Sequence, residues 1–101
     1  VQVAHDLLDK YDFIDAAATY AKGIRALATK AGAPHKFNLT ITYAFMSLIA
    51  ERMATKSHKN FKEFVSANPD LMSSCVLARW YANDRLHSDN ARSIFLLPEV
   101  G

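Results

Sequence analysis

Between residues 13 and 31, apolar side chains recur at intervals of four, three, four, three and four: Phe13, Ala17, Tyr20, Ile24, Leu27 and Ala31. A helix of 3.6 residues per turn gathers such a series on one face, whereas a strand would scatter it over both. Asp12 is a good N-cap for this helix, and Asp15 places a second negative charge near its positive end. Lys30 falls in the last turn, Gly32 supplies a left-handed stop, and Pro34 follows. Gly23 inside the series costs about 1 kcal/mol against alanine, so a close helix–helix contact is expected there.

The rest of the chain reads the same way. Val3, Ala4, Leu7, Leu8 and Tyr11 make an amphipathic stripe, with Asp6 and Asp9 facing away. After a short loop at 33–37, Asn38 or Thr40 caps the most hydrophobic segment. Ile41, Phe45, Leu48, Ile49 and Arg52 form one side of it; Leu39, Tyr43, Met46, Ala50 and Met53 form another. Only Thr40, Ser47 and Glu51 make a polar strip. A helix apolar over most of its circumference is a central one, with Phe45 and Ile49 midway along it. Residues 55–59 read as a basic loop. Asn60 with Glu63 then resembles a capping box, and that helix stops at Asn68-Pro69. Leu71 and Met72 cover the corner. Residues 75–82 read as a helix capped by Ser73 or Ser74. Ser88 and Asp89 begin a last turn or short helix ending near Phe95, and 96–99 is an extended tail. The expected fold is all-α: residues 1–101 as one bundle of four to six helices, 38–55 at its centre and 2–31 packed on it.

Composition excludes several classes. Half of the 101 residues are apolar and 22% are charged, well away from the composition of disordered chains. Cys75 is the only cysteine, so no internal disulfide or thiolate metal cage can form. A lone thiol suits a reducing compartment, and a cytoplasmic location is expected. No apolar run approaches the ~18 residues of a membrane span. His5, Asp6 and Asp9 interrupt any signal-peptide core. The net charge of +2 divides evenly between the halves, so neither nucleic acid nor membrane is an expected partner. Val1-Gln2-Val3-Ala4 begins inside a helical pattern without a Met or a cap, and the protein's own N-terminus is expected upstream.

The chemistry-bearing residues cluster in two places. The segment 79–92 holds Arg79, Arg85 and Arg92 with Trp80, Tyr81 and several carboxylates. Arginines so placed could clamp an anion bidentately; they could equally cross-link two short helices, with Trp80 and Tyr81 plugging the end of the core. Asn38 and Thr42, with Thr40 and His35 nearby, stand at the start of the central helix, where free N–H groups attract anions and where ordinary capping would use the same side chains. The basic loop Lys56-Ser57-His58-Lys59, with Lys62, reads as solvated. His5, His35, His58 and His87 share no metal-ligand spacing, and His5 with Asp9 reads as a surface pair. Cys75 beside Val76 and Leu77 reads as a small core residue. No metal and no cofactor is expected.

Three stretches carry a resemblance. Residues 4–13 look like a first helix ending in an aspartate- or histidine-plus-Phe turn. Residues 37–45, Phe-Asn-Leu-Thr-Ile-Thr-Tyr-Ala-Phe, look like an aromatic-His-Glu-Thr-aliphatic-Thr motif. Asn68-Pro69-Asp70-Leu71, followed by Tyr81, Leu86, Ser88, Ala91-Arg92, Phe95 and Pro98-Glu99, looks like a C-terminal signature. In these the chain resembles a family of small bacterial proteins of about this size with no assigned function. Asn38 stands where the second motif usually has histidine, and Leu39 where it has an acidic residue. Members commonly carry a His-x-x-His pair just before the stretch matching Val1. The resemblance implies a helical fold and no activity.

Two functions compete. The first is a ligand- or protein-binding module, using Arg79, Arg85 and Arg92 or the mouth at Asn38 and Thr42. Its expected partners are a small anionic ligand and a second copy in a homodimer, suggested by the apolar helix and the Phe95-Leu96-Leu97 tail. The alternative is a metal-assisted hydrolase whose ligands include residues upstream of Val1.

Overall fold

A computed structural model describes residues 2–55, 57–73 and 76–99, and among these every regular element is helical. Six α-helices follow in order: α1 (Gln2–Lys10), α2 (Phe13–Lys30), α3 (Leu39–Thr55), α4 (Phe61–Ala67), α5 (Asn83–Leu86) and α6 (Asp89–Ser93). Short 3₁₀ turns at Pro34–Lys36, Pro69–Met72 and Val76–Arg79 join them. The fold class is all-α. None of these helices is long and apolar enough to cross a membrane.

Local chemistry places the helix ends. The Asp12 carboxylate accepts the Asp15 N–H at 2.9 Å and opens α2. Gly32, at φ 75°, takes the left-handed conformation after α2. The Asn38 amide oxygen accepts the Ile41 N–H and opens α3. Asn60 accepts from the Glu63 N–H and Ser88 from the Ala91 N–H, opening α4 and α6. Each satisfies a backbone donor that the helix itself leaves free. Pro69 begins a 3₁₀ turn where α4 ends. Within 76–82 the element is shorter than the apolar pattern suggested, a single 3₁₀ turn over Val76–Arg79; Cys75 and the candidate cap Ser74 lie outside the described residues.

The core lies against α3, whose Thr40, Met46 and Ile49 are fully buried, together with Phe64 of α4 and Ala16 and Ala17 of α2. Helices α1 and α2 pack on each other and both reach α3, while α6 returns to the start of α3. The depth of several side chains differs from the sequence expectation. Ile49 is a core residue, but Phe45 is only partly buried, because the innermost line of α3 runs through Thr42, Met46 and Ile49. The first stripe frays at its ends: Val3 on α1 and Tyr11 just beyond it are exposed, and the second buried residue of α1 beside Ala4 is His5. On α2 small alanines make the contact, leaving Phe13 and Leu27 exposed. Gly23 has no neighbour within 4 Å of where a Cβ would sit, so no close helix contact occurs there.

Candidate functional site

Ser47 and Glu51 lie one turn apart on α3, on its exposed polar strip, and Ala44 and Leu48 continue that surface inward. Opposite them stand Leu77, Trp80 and Tyr81, and the tail contributes Phe95 and Pro98. Together these residues enclose an open groove of about 220 Å³. Three aromatic side chains make its walls, and among the described residues that line it the Glu51 carboxylate is the one ionisable group apart from the Tyr81 phenol.

The groove exists because the tail is strapped down. Buried Thr40 donates its hydroxyl to the Ile94 carbonyl at 2.6 Å and accepts the Leu96 N–H at 3.0 Å. The Tyr81 hydroxyl donates to the Leu96 carbonyl at 2.8 Å, and the Glu99 N–H donates to the Trp80 carbonyl at 2.9 Å. Burial raises the Tyr81 phenol above its usual range, with the Arg85 charge opposing, so Tyr81 is a neutral donor. Leu96 packs on the core, whereas Leu97 is 70% exposed.

The residues singled out from the sequence do not meet at one point. The Asn38 amide donates to the Leu86 carbonyl at 2.6 Å while its oxygen caps α3, and the Thr42 hydroxyl donates to the Asn38 carbonyl. Arg79 is exposed and lies over the Trp80 ring, 5.3 Å from its centroid. Arg85 donates to the Leu97 carbonyl and pairs with Glu99 at 3.6 Å. Arg92 pairs with Asp89 and donates to the His87 carbonyl. A shallow recess brings Arg85 together with Ser88 and Asn90, but also with Asp84 and Glu99.

Two arrangements escaped the sequence reading. Arg52 forms a fork on Asp70, at 2.9 and 2.8 Å, and also donates to Asn68. His5 is buried and its Nε2 lies 2.7 Å from Nε2 of His58, 53 residues away. That replaces the readings of His5 as a surface pair with Asp9 and of His58 as solvated. No spacing rule could have found a pair joined across two elements.

Taken together, fold and groove define a small all-α domain with an aromatic-walled cleft. No family model, curated protein or solved structure matches the chain.

Proposed function

We propose that the domain is a binding module whose groove beside α3 takes a small organic cation. The observation behind this reading is the juxtaposition of Trp80, Tyr81 and Phe95 with the Glu51 carboxylate. Aromatic faces attract cations through their quadrupoles, most of all when the cation carries apolar substituents. Glu51 adds a formal charge of the matching sign. The small anion expected from the arginines fits the geometry less well. It would have to displace Asp89 from Arg92, or displace Glu99 from Arg85 in a recess that Asp84 also lines.

Trp80 is the only tryptophan in the chain, so its fluorescence reports on the groove directly. Phenyltrimethylammonium should quench or shift that emission saturably, and Glu51→Gln should weaken the binding several-fold. An emission unchanged by the cation but altered by citrate would overturn the assignment and move the ligand to the arginines.

A second reading, a homodimer, rests on the tail. Ile94, Phe95 and Leu97 are 53%, 44% and 70% exposed, a run of apolar side chains at the groove's edge. Such surface is commonly covered by a partner, and two-fold pairing is the commonest way. Light scattering separates the readings, since a mass near 11.3 kDa at tens of micromolar leaves only the monomeric binding module.

A further inference from the structure

The histidine pair lies apart from the groove and has a chemistry of its own. His5 projects from α1 and His58 from the loop between α3 and α4, and their rings sit 4.9 Å apart. The setting is aromatic: Phe64 lies 5.0 Å from the His5 ring and 4.9 Å from His58, and Phe61 lies 5.3 Å from His5. His5 is 5% exposed and Phe64 1%.

The hydrogen bonds fix the tautomers. His5 Nδ1 lies 3.3 Å from the Asp6 carboxylate, which can only accept, so His5 Nδ1 carries the hydrogen. A neutral His5 therefore offers a lone pair at Nε2, and His58 must donate from its own Nε2 across the 2.7 Å gap. That leaves His58 Nδ1 as a bare lone pair, and this nitrogen is buried with no hydrogen-bond partner among the described residues.

From this geometry we propose that His5 and His58 form a proton-operated latch, holding α1 to the α3–α4 loop when neutral and releasing it on acidification. A first proton can settle on His58 Nδ1 and leave the N–H···N bond in place, although the new N–H has no acceptor. A second proton must go to His5 Nε2, where it faces the His58 N–H, and the bond cannot survive. The closed pair therefore holds at most one proton beyond neutrality, whereas the open pair holds two. Because the open form binds more protons, stability of the closed form rises with pH and falls as pH drops through the range where imidazoles ionise.

The surrounding charges do not replace the bond. Asp6 meets His5 at its far nitrogen, and its side chain is 62% exposed. Glu63 of α4 lines, with His58, a small cavity of about 90 Å³. Asp9 on α1, Lys59 in the loop and Lys62 on α4 are exposed. Arg52 of α3 is held by Asp70 and Asn68. Opening would uncover Phe64 and loosen Ala4, which is fully buried beside His5.

The test compares the unaltered protein with His58→Phe, which keeps an aromatic ring and cannot titrate. Denaturant unfolding is measured from pH 8 to pH 5 with a chelator present. The parent's folding constant should fall by up to about tenfold per pH unit more steeply than the variant's, the value for one linked proton. Parallel pH profiles would overturn the latch. Should His58→Phe fail to fold, nitrogen NMR of the parent's imidazoles decides. At pH 8 it should show hydrogen on Nδ1 of His5 and on Nε2 of His58; on acidification His58 should gain its second hydrogen first, and His5 only as the pair opens. Two rings titrating independently, as free imidazoles do, would refute the proposal. So would a melting temperature that rises with added zinc and falls again with chelator, since the pair would then be a metal site.

Discussion

Arg52 ties the end of α3 to the corner that follows α4, and it does so with the geometry only an arginine has. Its two terminal nitrogens meet the two oxygens of Asp70 in parallel, and one of them also reaches Asn68. A planar fork against a planar carboxylate loses less entropy per hydrogen bond than a lysine would. The Asp70 carboxyl is held below the usual carboxylate range, first by the hydrogen bond from Arg52 and then by that residue's charge, with burial opposing. The Arg52 guanidinium is raised in turn, mainly by the bond to Asp70. The side chains are 24% and 40% exposed, so solvent screens much of the attraction and a contribution of about 0.5–1 kcal/mol is reasonable. A carboxyl lowered by folding stabilises the protein above the ordinary carboxylate range. That stabilisation is lost as pH falls through the lowered value. Urea unfolding at pH 6 and pH 3 should therefore show the parent losing more stability than Asp70→Asn. Equal losses would mean that the fork is not felt in solution.

At the scale of elements, what could be read in the sequence is what local chemistry decides. Asp12, Asn60 and Ser88 cap their helices because a short oxygen-bearing side chain before a helix reaches the free N–H groups from any tertiary setting. Depth was less legible. Phe45 and Met46 are neighbours of comparable hydrophobicity, and only the way α3 is rotated against α1, α2 and α6 decides that Met46 is buried and Phe45 half-covered. The groove was legible only in pieces. Ser47 and Glu51 stood out as a polar strip and Trp80 with Tyr81 as a dense cluster, but no local rule brings residues 95 and 98 back across them. Gly23 and Gly32 show the same division. Gly32 has positive φ, so a side chain there is strained; Gly23 has ordinary φ and open space around it. Gly23→Ala should therefore stabilise by about 0.5–1 kcal/mol through helix propensity and a less free unfolded chain. In a domain of this size that amounts to a gain of several degrees in melting temperature. Gly32→Ala should shift the melt the other way. A loss from Gly23→Ala would point to a contact on α2 that the isolated chain does not show.

For the whole molecule, the decisive interactions are those that join distant parts of the chain, and Thr40 is the plainest of them. Its hydroxyl both donates to Ile94 and accepts from Leu96, over 54 and 56 residues, and its side chain has no solvent exposure. The same tail supplies Phe95 and Pro98 to the groove, so a buried hydroxyl on the central helix holds two walls of a surface cleft. Thr40→Val keeps the shape and removes the hydroxyl. It leaves the Ile94 carbonyl and the Leu96 N–H without their partner, at a cost of about 1–3 kcal/mol if both stay buried. The alternative for the chain is to lift the tail into water, which relieves that cost at the expense of Leu96 packing and of the Tyr81 and Trp80 bonds. In either case α1 to α4 keep their core, and α2 to α4 their own caps, so helical circular dichroism should change little. Amide exchange at Leu96 should accelerate well beyond that of the α3 amides, and Trp80 emission should shift to the red as its neighbour Phe95 departs. A Leu96 amide as protected in Thr40→Val as in the parent would show that the remaining bonds hold the tail alone. Thr40 would then be a core-filling residue rather than the fastening of the groove.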